Sequence, residues 1–188
     1  MSNIVKIAVD AMGGENSPKK ILDGIAHFTK NKKDIFFNIF GDKKKIEINI
    51  SKHISKNIYK IIHTDEYVKD EDSAFVGAKN KKTSMWLAVE SVKNQESDIV
   101  ISAGNTGALF VVAKLNLEMI DNIDKPALSG LWPNKKGMNV VLDLGANIEC
   151  NEKNLIDFSI MGSSLYKALY PNDECKVALL NIGSEELK

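Results

Sequence analysis

Short apolar runs alternate along the chain with stretches in which apolar residues recur every three or four positions. The runs predict strands, which fall at residues 4–9, 35–40, 58–63, 99–101, 127–131, 139–144 and 177–182. The helical spacing predicts helices, which fall at residues 18–28, 43–56, 108–114 and 152–169. Residues 70–85 carry mixed charge and have the least regular pattern.

This alternation of strand and helix predicts an α/β fold with a doubly wound, mostly parallel sheet. The architecture expected is a Rossmann-like arrangement of three layers, with the sheet between two layers of helices. A chain of 188 residues with 44% hydrophobic residues is long enough to bury one core. Residues 1–188 are therefore predicted to form a single α/β domain.

The loop after the strand at 99–101 has the composition of an anion site. It reads Ser-Ala-Gly-Asn-Thr-Gly at residues 102–107 and runs into the helix at 108–114. Such a junction leaves unpaired N–H groups at the helix start, with the positive end of the helix dipole behind them, so phosphate is the obvious ligand. The alternative is an ordinary turn with a glycine and a cap, because the spacing matches neither a dinucleotide fingerprint nor a Walker loop.

Two further strands run into loops of the same kind. Residues 10–14 read Asp-Ala-Met-Gly-Gly, ahead of a helix with Ser17 as its predicted N-cap and Pro18 as its first residue. Residues 143–147 read Asp-Leu-Gly-Ala-Asn. Because ligands of parallel sheets bind at the carboxyl ends of the strands, we expect the loops at 10–14, 102–107 and 143–147 to converge.

Composition removes several classes of function. The 25 basic and 25 acidic residues cancel, which gives no support for a nucleic-acid-binding protein. Every basic residue is a lysine, so an anion site must use lysine and backbone groups. Cys150 and Cys175 have no metal-ligand spacing and the histidines form no cluster or triad in the sequence, so no metal is expected. Without a signal peptide or a membrane-length apolar run, a cytoplasmic protein is expected.

The motifs resemble those of one known family. Ser-Ala-Gly-Asn-Thr-Gly-Ala-Leu at 102–109 is similar to the signature of the PlsX-type phosphate acyltransferases, enzymes of bacterial phospholipid synthesis. Three further segments resemble that family in the same order: Val-Asp-Ala-Met-Gly-Gly at 9–14, Lys-Lys-Thr-Ser-Met at 81–85 and Asp-Leu-Gly-Ala-Asn at 143–147. By this resemblance, residues 81–85 open a helix that continues through 86–92.

The sequence departs from the family's pattern at a few places. Glu15 stands where aspartate is usual, and Lys125 stands where arginine precedes Pro-Ala-Leu. Residues 132–134 read Trp-Pro-Asn instead of Leu-Pro-Thr, and Ser184 replaces the first glutamate of Asn-Ile-Gly-Glu-Glu. Family members continue well beyond this sequence, so the resemblance implies a chain that lacks the family's carboxyl-terminal portion.

The resemblance implies an acyltransferase of phospholipid synthesis. Inorganic phosphate attacks the thioester of a long-chain acyl group on acyl carrier protein, which gives acyl phosphate and free acyl carrier protein. Phosphate is itself the nucleophile, so the protein has to hold it in line, donate hydrogen bonds to the tetrahedral oxyanion and protonate the leaving thiolate if necessary. The resemblance also implies a fold like that of isocitrate or isopropylmalate dehydrogenase or of phosphotransacetylase, no cofactor, a homodimer, and peripheral association with the inner face of the membrane.

Roles for individual residues follow from the loops and the resemblance together. Lys82 would supply charge, Asn147 would stabilise the oxyanion, and Asp10 and Asp143 would orient these groups or move a proton. The predicted catalytic residues are Lys82, Asn105, Asp143 and Asn147. The predicted phosphate-binding and substrate-binding residues are Asp10, Gly13, Gly14, Ser84, Ser102, Gly104, Thr106, Gly107 and Gly145.

Acyl carrier protein is strongly acidic, so it should dock on lysines, and the candidate clusters are residues 43–45, 79–82 and 135–136. The main alternative enzyme is a short-chain phosphotransacylase that acts on acyl-CoA. An alternative of another class is a non-catalytic, membrane-associated binding or scaffold protein. A nucleotide-binding, dehydrogenase-like protein is a weaker alternative, because no dinucleotide fingerprint appears.

Overall fold

The computed structural model describes residues 4–30, 32, 34–50, 54–147 and 149–180. The chain forms two compact units, of which the first ends at Glu118 and the second begins at Met119. The single-domain organisation expected from the sequence stays a prediction. No helix in the described part of the chain combines the length and the apolar character that a membrane crossing requires.

The first unit is built on a four-stranded sheet in which every strand pair is parallel. Across the sheet the strands lie in the order β3, β2, β1, β4. The predicted α/β class with a parallel, doubly wound sheet is confirmed. The elements are β1 (Val5–Asp10), α1 (Lys19–Phe28), β2 (Ile35–Gly41), α2 (Lys43–Asn49), a 3-10 turn (Lys56–Ile58), β3 (Tyr59–His63), α3 (Ala74–Lys79), α4 (Ser84–Lys93), β4 (Ile99–Ser102) and α5 (Thr106–Asn116).

Apolar residues cover both faces of this sheet, because successive side chains of a strand point to opposite faces. Ile7 and Val9 of β1 pack with Leu22 of α1 on one face. Ala8, the residue between them, packs with Ala88 of α4 on the other face. The successive apolar residues Ile7, Ala8 and Val9 of β1 therefore reflect a strand that is buried on both sides.

Two predicted helix boundaries were wrong. The helix predicted over 43–56 ends at Asn49, whose side-chain amide donates to the carbonyl oxygen of Lys45 at 2.8 Å and so uses a carbonyl of the last turn. Ser17 is not the N-cap of α1, since its hydroxyl donates to the carbonyl oxygen of Gly13 and Pro18 occupies the cap position. The hydroxyl thus closes the loop instead of capping the helix.

Helix α3 was missing from the sequence prediction, which found no regular period there. This short helix lies against α5 through small residues. A Cβ atom added to Gly77 would lie 2.6 Å from Cγ1 of Val68 and 3.1 Å from Cβ of Ala108. Glycine at this position therefore allows the close approach of the two helices.

The second unit contains a hairpin and one long helix. Its elements are β5 (Ser129–Asn134), β6 (Gly137–Leu142) and α6 (Glu152–Leu169). The helix has the predicted bounds and begins with a capping box between Asn151 and Asn154. β6 pairs antiparallel with β5, so the prediction that it belongs to the parallel sheet was wrong. The two residues between these strands permit a hairpin but not the crossover that parallel strands need.

The strand predicted over 177–182 was also wrong for its described part. Residues 177–180 have no strand partner among the described residues, and their apolar side chains are exposed. An apolar run becomes a strand only where a neighbouring strand takes up its N–H and C=O groups. The remaining residues of this prediction and the following motif with Ser184 lie outside the described residues.

Lys153 of α6 connects this helix to the preceding loop. Its Nζ donates to Oδ2 of Asp157 at 2.8 Å and to the carbonyl oxygen of Asn122 at 2.9 Å, and it lies 3.0 Å from Oδ1 of Asp124. The hydrogen bond from Lys153 lowers the pKa of the buried Asp157 from its ordinary value of 3.8. The carboxylate of Asp157 therefore stabilises the second unit in its ionised form.

We expect acid to weaken this contact. A pKa lowered by folding gives a stabilisation that is complete above the unfolded-state value of 3.8 and is lost as the pH falls through the folded-state value. Asp157→Asn should therefore have a lower free energy of unfolding than the wild type at neutral pH. This difference in unfolding free energy should be smaller at a pH below 3.8, and urea unfolding at neutral pH and at that acid pH measures it. Asp23→Asn removes the exposed pair with Lys19 and should show little change at either pH. A constant deficit for Asp157→Asn would contradict this interpretation.

Candidate active site

The loops after β1 and β4 lie at the point where the strand order of the sheet reverses. β2 and β3 extend the sheet on one side of β1, whereas β4 pairs with β1 on the other side. Asp10, the last residue of β1, pairs in register with Ser102, the last residue of β4. Open parallel sheets bind their ligands at this reversal, beyond the carboxyl ends of the strands. The structure thus brings together two of the predicted loops, 10–14 and 102–107.

The buried carboxylate of Asp10, which is only 1% exposed, joins the two loops to α4. Its Oδ1 accepts from the hydroxyl of Ser84 at 2.6 Å and from the N–H of Met12 at 3.2 Å. Its Oδ2 accepts from the hydroxyl of Ser102 at 2.7 Å. The Ser102 oxygen in turn accepts from the N–H of Gly104 at 3.2 Å. One carboxylate therefore fixes the ends of β1 and β4 and the start of α4.

The two loops approach each other backbone to backbone. A Cβ atom added to Gly13 would lie 2.8 Å from the nitrogen of Gly104, and one added to Gly14 would lie 2.5 Å from the carbonyl oxygen of Ala103. Gly14 also has a φ of +85°, which side chains other than glycine rarely adopt. Gly13 and Gly14 are therefore required by this contact itself, independently of any ligand.

The start of α5 presents N–H groups beside this contact. The side-chain oxygen of Asn105 accepts from the N–H of Ala108 at 2.9 Å and caps the helix. The side-chain amide of Asn105 donates to the carbonyl oxygens of Asp70 and Asp72, at 3.2 and 2.8 Å. The exposed Thr106 and Gly107 have N–H groups without an acceptor among the described residues. An anion can bind at this helix start without displacing a protein contact.

Lys82 lies just before α4, and its backbone is fixed on both sides. The hydroxyl of Thr64 donates to the carbonyl oxygen of Lys82 at 2.6 Å, and the N–H of Lys82 donates to Oδ1 of Asn80 at 2.9 Å. The side chain of Lys82 is exposed, whereas Nζ of its neighbour Lys81 lies 5.4 Å from the ring centre of Trp86. Thr64 and Asn80 were missed in the sequence, because neither belongs to a glycine motif.

The third predicted loop is organised around Asp143, in the second unit. Oδ1 of Asp143 accepts from the side-chain amide of Asn147 at 3.0 Å and from its backbone N–H at 3.2 Å. The same amide donates to the carbonyl oxygen of Pro126 at 3.0 Å. Asp143 and Gly145 have φ values of +60° and +87°. Because β6 does not belong to the parallel sheet, the participation of Asp143, Gly145 and Asn147 in the site stays a prediction.

Cys150 belongs to the same loop, and its thiol donates to Oδ2 of Asp143 at 3.5 Å. Burial raises the pKa of this thiol, and the charge of Asp143 raises it further. We therefore expect Cys150 to react slowly with iodoacetamide at mildly alkaline pH, because the thiolate is the reactive form. Asp143→Asn should speed the reaction, measured by mass spectrometry of the labelled peptide, with the rate at Cys175 as an internal control. An unchanged rate would contradict the role of Asp143.

One group of metal-ligating side chains occurs in the described part of the chain, formed by Asp42, His63 and Asp65, whose ligand atoms lie within 4.8 Å of one another. The N–H of Lys43 donates to Nδ1 of His63 at 3.2 Å, so the proton of the neutral ring is on Nε2, which lies 3.5 Å from Oδ1 of Asp65. Oδ1 of Asp42 accepts from two N–H groups at the start of α2. These contacts suit a helix cap, because a metal would need the lone pair on Nε2.

Comparison with known proteins identifies one family and relatives that share one name. A profile of the family described as "Fatty acid synthesis protein" matches residues 5–188. The protein named phosphate acyltransferase from Pelagibacter ubique (strain HTCC1062) is 68% identical over 189 residues, which cover 100% of this chain and 56% of that protein. The protein of the same name from Beijerinckia indica is 39% identical over 187 residues, which cover 98% of this chain and 48% of that protein.

The chain thus spans about half the length of the curated relatives it matches. Among solved structures, a branched-chain phosphotransacylase from Enterococcus faecalis V583 is similar, with a TM-score of 0.49 and 16% sequence identity. The similarity covers 88% of this chain and 52% of that protein.

Proposed function

Because the chain belongs to the family of fatty acid synthesis proteins, we propose that its loops at the strand reversal bind inorganic phosphate for acyl transfer. In the whole protein, the acyl group of long-chain acyl-[acyl carrier protein] is transferred to that phosphate, which gives acyl phosphate and free acyl carrier protein. The name phosphate acyltransferase, carried by the relatives, supports this reaction. The observation that carries the proposal is the junction of the loops 10–14 and 102–107 through Asp10.

Phosphate binds at the start of α5 in this proposal. The N–H groups of Thr106 and Gly107 are exposed there, and the positive end of the helix dipole adds to their attraction for an anion. The exposed side chain of Lys82 supplies positive charge for the bound phosphate in this proposal. Lys82 lies two residues before Ser84, whose hydroxyl donates to Asp10 at the junction of the two loops. Without arginine in the sequence, lysine and backbone are the available cationic and N–H donors.

The transfer itself needs little covalent chemistry from the protein. A phosphate oxygen forms a bond to the thioester carbon, the carbon–sulfur bond breaks, and the departing thiolate takes up a proton. The protein accelerates this reaction by holding phosphate in line and by hydrogen bonds to the oxyanion. In this proposal the amide of Asn147 is the oxyanion donor. Its NH₂ group donates to Asp143 and to the carbonyl oxygen of Pro126, so one of these two hydrogen bonds has to be given up to the oxyanion during the reaction.

The acidic acyl carrier protein docks on the lysines at 79–82 in this proposal. Lys79 is the last residue of α3, and Lys81 and Lys82 lie between α3 and α4, whose first residue Ser84 donates a hydrogen bond to Asp10. The alternative cluster at 43–45 is partly neutralised, because Lys43 and Lys45 each lie 3.9 Å from a carboxylate oxygen. We further propose that the whole protein is a homodimer located in the cytoplasm, at the inner face of the membrane.

The test is to incubate the 188-residue chain with palmitoyl-[acyl carrier protein] and labelled phosphate and to measure acyl phosphate. A second protein carries the same residues followed by the remaining part of the Pelagibacter ubique relative. Product from the extended protein is expected, and product from both would locate the full machinery in these residues. No product from either protein would overturn the proposal and favour a binding or scaffold protein. A preference for short-chain acyl-CoA would favour the alternative phosphotransacylase.

A further inference from the structure

We propose that Asp10 makes the site selective for phosphate over sulfate, by turning the Ser102 hydroxyl into a hydrogen-bond acceptor toward the ligand. This inference rests on the proposed binding of phosphate at the strand reversal and names a property of that same site. The selectivity follows because the single proton of the Ser102 hydroxyl points to Asp10 and not to the ligand.

The hydrogen bonds of Ser102 leave one position on its oxygen. The hydroxyl donates its only proton to Oδ2 of Asp10 at 2.7 Å, and one lone pair accepts from the N–H of Gly104 at 3.2 Å. The second lone pair has no donor among the described residues. Ser102 is half-buried at the end of β4 and the next residue, Ala103, is exposed, so the proposal assigns this lone pair to the ligand.

The Asp10 carboxylate keeps the proton of Ser102 pointing toward itself, because the carboxylate can only accept hydrogen bonds. Besides Ser102, the carboxylate accepts from the hydroxyl of Ser84 and from the N–H of Met12, and it is only 1% exposed. Its neighbours in these contacts are all donors. Reversal of the Ser102 hydroxyl would leave Oδ2 of Asp10 buried without that hydrogen bond, which is costly.

Phosphate and sulfate differ in what they can offer to such an acceptor. At neutral pH inorganic phosphate keeps at least one proton, whereas sulfate keeps none and has lone pairs only. A protonated phosphate oxygen can donate to the free lone pair of Ser102. A sulfate oxygen would place its lone pair against the lone pair of the Ser102 oxygen, which is unfavourable. Sulfate would therefore be held by the backbone N–H groups of the loop alone, without a hydrogen bond to Ser102.

The substitution Asp10→Asn should reverse the role of Ser102. The N–H of Met12 and the hydroxyl of Ser84 both donate to Oδ1, so the amide oxygen of the new side chain would take that position. Its NH₂ group then lies at the position of Oδ2 and donates to the Ser102 oxygen. With both lone pairs of Ser102 occupied, its proton turns to the ligand and suits a fully ionised anion.

The experiment is equilibrium dialysis of labelled phosphate against the purified 188-residue chain, with sulfate as competitor at constant ionic strength and neutral pH. In the wild type, phosphate should bind at least about tenfold more tightly than sulfate. Asp10→Asn should abolish or invert this ratio. Ser102→Ala should bring the ratio toward unity without inverting it, and Ser102→Thr should restore it because the hydroxyl is kept. Asp23→Asn, a distant exposed carboxylate, is the control for net charge.

The outcomes distinguish the loss of anion selectivity from the absence of a phosphate site. Equal competition by sulfate in the wild type and in Asp10→Asn would overturn the inference while leaving the phosphate site intact. A wild-type chain that binds no phosphate would overturn both. Thermal unfolding of each variant shows whether it is folded, and if Asp10→Asn is not, the Ser102→Ala and Ser102→Thr pair decides the question.

Discussion

Gly14→Ala should lower the free energy of unfolding of the first unit by about 3 kcal/mol or more, because two costs add at this position. The φ of +85° is unfavourable for alanine. The new Cβ atom would also lie 2.5 Å from the carbonyl oxygen of Ala103, a backbone atom that cannot rotate away. Relief of that contact requires the loop after β1 to move away from the loop after β4. Urea unfolding followed by circular dichroism measures the loss.

Gly24→Ala is the matched control. Gly24 lies inside α1, and a Cβ atom there would have no other heavy atom within 4 Å. Alanine should stabilise the helix by about 0.5–1 kcal/mol, since it restricts the unfolded chain and favours helical backbone angles. The same substitution should thus have opposite signs at the two sites. Equal effects at Gly14 and Gly24 would mean that the contact between the loops does not contribute to stability.

Asn105→Asp should reduce the affinity for phosphate by about a hundredfold or more, with a smaller effect on folding. The new carboxylate keeps the oxygen that accepts from the N–H of Ala108, so α5 stays capped. It places a negative charge at the start of α5, where phosphate is proposed to bind. It also replaces an NH₂ group that donates to the carbonyl oxygens of Asp70 and Asp72. Titration calorimetry with inorganic phosphate measures the loss of affinity.

The control for this substitution is Asn134→Asp, which adds the same charge at an exposed position of the hairpin in the second unit. The new side chain keeps an oxygen for the N–H of Lys136 and gives up one exposed hydrogen bond to Asn139. It should leave phosphate affinity within about twofold of the wild type. If Asn105→Asp also stays in that range, phosphate does not bind beside Asn105.

The part of the fold that the sequence predicted is the part fixed by local patterns. The β-branched and aromatic runs at 4–9 and 35–40 are β1 and β2, in which apolar residues at successive positions are buried on both faces of the sheet. The helix over 152–169 has the predicted bounds, because its apolar period and its capping residues agree. The order of strands and helices in the first unit then required a parallel sheet.

The wrong predictions concern segments whose structure depends on contacts with distant parts of the chain, which a local sequence pattern does not contain. The runs at 139–144 and 177–182 are as apolar as a buried strand, yet the first pairs in a hairpin and the described part of the second is unpaired. The short helix α3 depends on close contact with α5 through Gly77. Its own period is too brief to detect.

The same distinction applies to the candidate site. The glycine motifs identified the loops at 10–14 and 102–107, and the structure places these loops together. The sequence did not show that Asp10 is the hydrogen-bond acceptor for both Ser84 and Ser102, because these contacts join residues far apart in the chain. Thr64 and Asn80, which fix the backbone of Lys82, were missed for the same reason.

The contact between the two glycine loops also governs when the site can form during folding. Asp10 and Ser102 are 92 positions apart, and the crossover between their strands contains β2, β3 and the helices α1 to α4. Closing so long a loop has a large entropic cost, which only the pairing of β1 with β4 and the packing around it can offset. A partly folded chain therefore contains both motifs but no anion site. Phosphate, if it binds only the assembled loops, shifts the folding equilibrium toward the complete first unit, so that the phosphate concentration and the lifetime of the folded chain become coupled.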